Sequence, residues 1–300
     1  MEKNLMLIIN PAAGRGAYKA GLGDALLTLD RGGYRTSLFF TAGPGDAAVF
    51  ARERAGSFDA VACVGGDGTL SEVISGLMDL DERPPLGYIP MGTANDVATT
   101  LGLPKNDTAA AARRILEGEA HPFDVGVFGQ EGYFAYIAAF GAFTEVSYAT
   151  PQNQKKALGQ LAYVLQGASS FMQQLGRVDS FQAKVEYDGG VFEGELLYGS
   201  MSNSTSVAGI VRLPEQMVCL GDGMSELVLV KNPGTLAGFG EIVDSVLSQR
   251  FDSENLLILH TTEARFLFDR EVAWTRDGES GGSHSALTLG NRGAALRFIF

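Results

Sequence analysis

The stretch VACVGGDGTLSEVISGL, residues 61–77, joins a short apolar run to a helical pattern through three closely spaced glycines. The run at 61–64 is typical of a buried strand, and later apolar residues recur at helical spacing: Leu70, Val73, Ile74 and Leu77. Residues 65–69 are therefore predicted to connect a strand to a helix. Glycines there let backbone N–H groups approach an anion, and the helix start adds its positive dipole end. This favours a phosphate site, although tight connections can be glycine-rich for steric reasons alone.

The chain around this stretch alternates apolar runs with helical patterns from residue 1 to about 124. Strands are predicted at 5–9, 34–40, 59–64 and 86–90, and helices at 17–30, 45–54, 69–78 and 94–101. Such alternation predicts a Rossmann-like parallel sheet covered by helices on both faces. Ligands of such sheets bind at the carboxyl ends of the strands.

Beyond about residue 124 the apolar residues recur with period two, most clearly in FQAKVEYDGG at 181–190. The Asp-Gly-Gly at its end predicts a hairpin turn. Further strands are expected at 225–231, 263–268, 271–276 and 294–300, with helices at 155–175 and 236–250. The fold class predicted is α/β plus β, with an α/β domain at 1–124 followed by an antiparallel β domain at 125–300.

Composition excludes several classes of protein. The net charge of −12, from 23 basic and 35 acidic residues, gives no electrostatic basis for binding nucleic acid. Two cysteines, Cys63 and Cys219, have neither disulfide nor zinc spacing, which favours a reducing compartment. No segment has the ~18 uninterrupted apolar residues that a membrane-spanning helix needs. We therefore expect a cytoplasmic protein that contacts membranes at most peripherally.

Two further loops belong at the same edge of the predicted sheet. The first strand ends in NPAAGRG at 10–16, and the fourth ends in PMGTANDVATTLGLP at 90–104. Three loops of small and polar residues that converge by topology are hard to explain by turn chemistry. They predict one site for the phosphates of a nucleotide.

These loops resemble the signature loops of the diacylglycerol kinase catalytic-domain family, which also includes sphingosine kinases, ceramide kinases and small bacterial lipid kinases. Later segments resemble the family in the same order, at 155–165, 203–216, 221–230 and 276–280. The resemblance implies that the α/β domain at 1–124 binds a nucleotide and that an antiparallel β-sandwich domain at 125–300 binds the lipid substrate. It also implies that ATP lies in the cleft between the two domains. The positions that it implies for nucleotide contact are Asn10, Pro11, Ala12, Ala13, Gly14, Thr41, Gly65, Gly66, Asp67, Gly68, Thr69, Thr93 and Asn95. No Walker-type lysine follows the glycines, so Mg²⁺ is expected to carry much of the charge neutralisation.

The resemblance also implies roles for five acidic residues. It places Asp67, Asp96 and Asp124 in a network with water and the catalytic magnesium. From the residues alone, Asp67 and Asp96 could equally cap helices and Asp124 could end a strand. Asp277 matches the proposed general base of the family, and Glu279 completes that motif.

A second, structural magnesium site is implied at Asp222 and Met224, with Cys219 contributing its backbone; a plain hairpin turn is the alternative. The acceptor implied is a lipid hydroxyl, with diacylglycerol as the first candidate. The apolar stripe at 158–175, preceded by Lys155 and Lys156, either packs on the β domain or contacts lipid.

Other functions and assemblies stay open. One alternative is a soluble-metabolite kinase of the NAD kinase type, which shares the GGDGT element. Another is a nucleotide-binding regulator without turnover. A homodimer could form by pairing of an edge strand of the α/β sheet.

Overall fold

The computed structural model describes residues 3–16, 18–105, 107–130, 132–141, 179–207, 211–212 and 218–300. The predicted helix at 155–175, its apolar stripe and the lysines before it lie outside the described residues, as does part of the segment 203–216.

The first part of the chain forms parallel strands and helices close to the predicted positions. The strands are β1 (Lys3–Ile9), β2 (Tyr34–Phe40), β3 (Ala60–Gly65) and β4 (Leu86–Pro90). The helices are α1 (Tyr18–Arg31), α2 (Asp46–Arg54), α3 (Asp67–Met78), α4 (Asp96–Thr100) and α5 (Thr108–Glu117), with short 3₁₀ turns at Ala13–Gly16 and Ala55–Ser57. The strands are parallel in the order β4-β3-β1-β2, which leaves β2 at an edge.

Helices cover both faces of this parallel sheet, as the uninterrupted apolar strands require. On one face, Met6 and Ile8 of β1 pack with apolar residues of α2 and α3. On the other, Leu5 and Leu7 pack with α1 and α5. The mixed α/β class is thereby confirmed.

The later part of the chain is antiparallel. Its strands are β5 (Ala120–Phe128), β6 (Gly132–Phe134), β7 (Ile137–Gly141), β8 (Phe181–Tyr187), β9 (Gly190–Ser202), β10 (Ser206–Val207), β11 (Val211–Arg212), β12 (Ser225–Lys231), β13 (Leu256–Thr261), β14 (Glu263–Arg276) and β15 (Glu279–Ile299). One helix, α6 (Leu236–Leu247), lies where 236–250 was predicted. The aromatic core of this part includes Phe140, Phe266 and Trp274.

The last strand connects the two parts. β15 pairs with β14 along most of its length, then with β5, and Phe298 pairs in parallel with Leu86 of β4. The predicted boundary at residue 124 falls within β5. The division into two domains and the β-sandwich remain predictions.

Candidate active site

The loops after β1, β3 and β4 lie side by side. The strand registers pair Ile9 with Val64 and Gly65 with Pro90, so the three strands end at one level. The connecting bonds continue beyond them, because Asn10 N donates to Val64 O (2.9 Å) and Met91 N donates to Gly65 O (2.6 Å). The loops predicted to converge at the carboxyl edge of the sheet do so.

Two glycines allow the second and third loops to touch. A Cβ on Gly92 would lie 2.6 Å from the Cα of Gly66 and 2.6 Å from Oδ1 of Asn95. Real Cβ atoms do not approach other atoms so closely, so this contact requires glycine. The backbone of residues 65–69 is thereby fixed against the loop 91–95.

The Asn10 side chain joins the first loop to the second. Its Oδ1 accepts the N–H of Ala12 (2.9 Å), and its Nδ2 donates to Oγ1 of Thr69 (2.9 Å). Gly14 has a φ of 57°, a left-handed conformation that favours glycine. Thr41 follows β2 and donates its N–H to Ile9 O (2.9 Å), so it lies beside the start of this loop.

The third loop is held by Asn95, which is itself left-handed with a φ of 52°. Its Oδ1 accepts the N–H of Gly92 (2.8 Å) and the hydroxyl of Tyr88 (3.2 Å). Asn95 is buried and Thr93 is exposed. Asn95 therefore holds the loop from its buried side, whereas Thr93 is exposed on the outer side of the loop.

Asp67 is the first residue of α3, but its carboxylate accepts hydrogen bonds from the start of α4. Its oxygens accept the N–H of Asp96 (3.2 Å) and of Val97 (3.4 Å). Burial raises the pKa of Asp67, and the backbone N–H bonds and the charge of Lys105 act in the opposite direction. Asp67 thus caps a helix, but the helix is α4 and not α3. The same hydrogen bonds hold Asp67 next to Asp96.

Lys105 is a residue that the sequence analysis missed. Its Nζ donates to the carbonyl of Ala94 (3.2 Å) and to Oγ1 of Thr99. The lysine therefore folds back from beyond α4 over the third loop and places a positive charge near Asp67. Its position nine residues after the GTAND segment gives no periodic signal that would reveal this contact.

Asp277 lies in the turn between β14 and β15, with a left-handed φ of 48°. It is 4% exposed, and its carboxylate accepts backbone N–H bonds from Ala135 (2.6 Å), Tyr136 (3.0 Å) and Ile137 (3.2 Å). Burial raises the pKa of Asp277, whereas these bonds and the Ser71 hydroxyl favour its charged form. Three backbone amides thus orient this carboxylate.

Glu279, two residues later, is exposed and lies against the glycine connection. Its Oε1 is 3.6 Å from the position that a Cβ on Gly68 would take. The turn 277–279, about 210 residues away in sequence, therefore meets the start of α3. Burial raises the pKa of Tyr136, and the charges of four carboxylates add to this effect in the order Asp277, Asp96, Asp67 and Glu279.

Asp124 lies in β5 and contacts a different turn, 221–224. It is fully buried, and its carboxylate accepts N–H bonds from Ala294 (2.6 Å) and Gly223 (2.7 Å) and a longer one from Asn291 (3.3 Å). Burial raises its pKa, and the charge of Asp222 does so to a lesser degree. The structure groups Asp124 with Asp222; the catalytic role assigned to it stays a prediction.

The turn 221–224 and the start of β12 carry two carboxylates, one exposed and one buried. Asp222 is exposed, and its Oδ1 accepts the N–H of Met224 (2.9 Å). The next acidic residue, Glu226, is buried, which raises its pKa to about 8. The Cys219 side chain is exposed. Within the described residues no three His, Cys, Asp or Glu side chains are grouped as metal ligands.

No helix in the part of the chain that the structure describes is long and apolar enough to cross a membrane.

Comparison with known proteins assigns the family. Residues 4–128 match the family model described as diacylglycerol kinase catalytic domain. A diacylglycerol kinase of Bacillus subtilis (strain 168) is 37% identical over 283 residues, which cover 93% of this chain and 91% of that protein. The chain belongs to the diacylglycerol kinase family. The resemblance seen in the three loops is confirmed.

Other members of the diacylglycerol kinase family match at similar length. A diacylglycerol kinase of Staphylococcus aureus (strain JH9) is 35% identical over 294 residues, covering 94% of this chain and 88% of that protein. The crystal structure of a protein from Bacillus anthracis str. Sterne, provisionally named a diacylglycerol kinase, has a TM-score of 0.82 at 28% identity and covers 99% of this chain and 95% of that one. These matches favour a lipid kinase over an NAD kinase-like enzyme or a regulator without turnover.

Proposed function

We propose that the protein transfers the γ-phosphate of ATP to the hydroxyl of diacylglycerol and forms phosphatidic acid. The observation that carries this proposal is the contact of the turn 277–279 with the glycine connection 65–69. It places an exposed carboxylate beside backbone that is suited to phosphate. The relatives named diacylglycerol kinases support the choice of acceptor.

ATP is proposed to bind between the Rossmann-like part, 1–124, and the antiparallel part, 125–300, which we expect to be a β-sandwich. Its phosphates would contact the backbone of 10–14 and 65–69 and the hydroxyl of Thr93, with Thr41 beside the first loop. Phosphoryl transfer depends mainly on positioning and charge neutralisation, which these rigid loops can supply. Lys105 adds a positive charge at the same edge.

The residues at this edge also fit Mg²⁺. Asp67 and Asp96 are neighbouring carboxylates on two touching loops, and oxygen is the ligand that this hard cation prefers. The Asp67 oxygens accept two N–H bonds, which leaves lone pairs for a ligand. Mg²⁺, when bound, would neutralise charge on the phosphates. We propose these two residues as its holders.

The proton of the acceptor hydroxyl needs a base within hydrogen-bond reach. The family resemblance implies this role for Asp277, whose raised pKa suits a base but whose oxygens already accept three backbone N–H bonds. Glu279 is exposed and faces the glycine connection. We propose that Glu279 accepts the proton and that Asp277 holds the turn in place, with Asp277 as the second candidate for the base.

The second magnesium site is proposed at Asp222, with backbone carbonyls of Met224 and Cys219. Asp124 would stabilise that turn from the buried side through the N–H of Gly223. We further propose that contact with membranes is transient and peripheral, in the cytoplasm, and that β2, the free edge of the parallel strands, is the place where a homodimer would pair.

The test is a transfer assay. The purified protein is incubated with Mg²⁺ and γ-labelled ATP in mixed detergent micelles that contain diacylglycerol, and products are identified by mass. We expect labelled phosphatidic acid, and no product in micelles without acceptor. A parallel reaction offers NAD as acceptor and is expected to give no labelled NADP. Absence of lipid phosphorylation across detergents and lipid classes would contradict the proposal.

A further inference from the structure

The carboxylate of Glu72 joins helix α3 to the loop that follows β2, residues 41–45. Glu72 lies in the second turn of α3, five residues after Asp67. Its Oε1 accepts the N–H of Gly45 (2.9 Å), and its Oε2 accepts the N–H of Ala47 (3.2 Å). Both donors belong to the start of α2. One side chain therefore holds the end of the loop 41–45 through both of its oxygens.

The start of α2 has no cap from its own preceding residue. That residue is Gly45, which has a left-handed φ of 87° and no side chain to accept a hydrogen bond. Asp46 shapes the loop from within, because its Oδ2 accepts the N–H of Ala42 (2.7 Å) and of Gly43 (2.9 Å). The N–H groups at the helix start pair instead with Glu72, whose negative charge also favours the positive end of the helix dipole.

A close contact between α2 and α3 supports this bridge. A Cβ on Gly76, one turn after Glu72, would lie 2.2 Å from the carbonyl oxygen of Ala48 and 2.8 Å from the Cβ of Ala51. The two helices therefore touch where only glycine fits. Because the helix pair is packed independently of the carboxylate, loss of the carboxylate would release the loop and leave the helices together.

The loop 41–45 lies at the same edge of the sheet as the three phosphate loops. Phe40 at the end of β2 pairs with Ile9 at the end of β1, and Thr41 N donates to Ile9 O (2.9 Å). β2 is the outermost strand and lies two strands, or about 10 Å, from β3. With the terminal phosphate proposed between 65–69 and Glu279, the loop after β2 is left for the nucleoside end of ATP.

We propose that Glu72 is a positioning residue for nucleotide binding, whose carboxylate keeps the loop 41–45 in register with the glycine connection from which α3 begins. Other early residues of α3 hold the other loops, since Asp67 accepts bonds from the start of α4 and Thr69 accepts one from Asn10. This inference rests on the proposed function. It predicts an effect on ATP binding and little effect on the transfer step, because Glu72 bonds to the loop after β2 and the transferred phosphate is proposed to lie at the turn 277–279.

The test is Glu72→Gln, which keeps the size of the side chain and one acceptor oxygen but loses the second acceptor and the charge. We expect the KM for ATP to rise about tenfold, as loss of one charge-assisted hydrogen bond would cause, while kcat at saturating ATP stays within about twofold. The Kd for ATP, measured by calorimetry without lipid, should rise as well. The matched control is Glu53→Gln, an exposed carboxylate on α2, which is expected to leave kcat, KM and Kd within about twofold.

Each outcome decides the inference. Unchanged KM and Kd in Glu72→Gln would contradict it, as would an equal rise in the Glu53→Gln control. A fall in kcat with an unchanged Kd would also contradict it, because Glu72 would then act on the transfer step. Loss of folding in Glu72→Gln would do the same, because the carboxylate would then be required by the fold as a whole. If the unsubstituted protein phosphorylates no lipid, the proposed function fails instead, and the calorimetric Kd for ATP still decides the role of Glu72.

Discussion

At the residue scale, Asp277 and Glu279 are two carboxylates in one turn with different surroundings. Asp277 is buried and accepts three backbone N–H bonds, whereas Glu279 is exposed beside Gly68. A carboxylate held by amides suits a structural role, and an exposed one suits proton transfer. Their isosteric amide variants can therefore separate the two roles.

We predict that Glu279→Gln lowers kcat by at least about 100-fold without changing the melting temperature, because it removes the proton acceptor and no described backbone contact.

Asp277→Asn should instead lower the free energy of unfolding by about 1–3 kcal/mol, because its amide nitrogen would face an N–H donor. Asparagine tolerates the left-handed backbone of this position, so the turn itself is not strained. Turnover and chemical denaturation of both variants provide the measurement. A stable, inactive Asp277→Asn beside an active Glu279→Gln would assign the base to Asp277.

The sequence revealed the residues that stand in recognisable loops and missed those defined only by tertiary contact. Asp67, Asp96 and Asn10 follow strands and could be placed at one edge by topology. Tyr136 and Lys105 lie outside the loops that the motifs mark. Tyr136 meets the site through a turn 141 residues away, and Lys105 folds back locally onto Ala94 and Thr99 in a way that no periodic pattern reveals. The grouping of Asp124 with the turn 221–224 likewise depends on β5 and β15 lying side by side.

At the scale of elements, the loop 91–95 packs against the loop 65–69 within the proposed nucleotide site. The contact is closest at Gly92, where a Cβ would lie 2.6 Å from the Gly66 Cα. A change of loop spacing should therefore affect ATP binding more than stability.

We predict that Gly92→Ala weakens ATP binding by about tenfold. The added methyl group would overpack the contact between the two loops at a cost of about 1–3 kcal/mol, and one loop must move to relieve it. The control is Gly56→Ala in the 3₁₀ turn 55–57, where a Cβ would meet nothing within 4 Å. Calorimetric titration of ATP into both variants gives the affinities. Unchanged affinity in Gly92→Ala would show that the loop contact does not shape the site.

Most helices and strands were predicted from the sequence, but the strands β5, β6, β7, β10, β11 and β13 were not. α5 was not predicted, although Asp107 caps it by accepting the N–H of Ala110 (2.8 Å). The strands expected at 263–268 and 271–276 form the single strand β14, whose pairing shifts register between Leu267 and Val272. A period-two pattern indicates a strand. It does not show whether a break in the pattern ends the strand or is a register shift across which the strand continues.

At the scale of the whole molecule, β15 connects the parallel and antiparallel parts. Its 21 residues run from the turn beside the glycine connection to the pairing of Phe298 with Leu86. This arrangement sets Glu279 beside Gly68 of the glycine connection. Such long-range pairing could not be predicted from the sequence, because local pattern does not select a partner strand hundreds of residues away.

In the proposed mechanism the γ-phosphate lies between residues 65–69 and Glu279. The most direct measurement is a crystal structure of the protein with Mg²⁺ and a non-hydrolysable ATP analogue. The account predicts phosphates on the backbone of the glycine connection, Mg²⁺ on the side of Asp67 and Asp96, and the terminal phosphate facing the turn 277–279. An analogue whose phosphates lie away from these loops, or whose terminal phosphate faces away from Glu279, would contradict it.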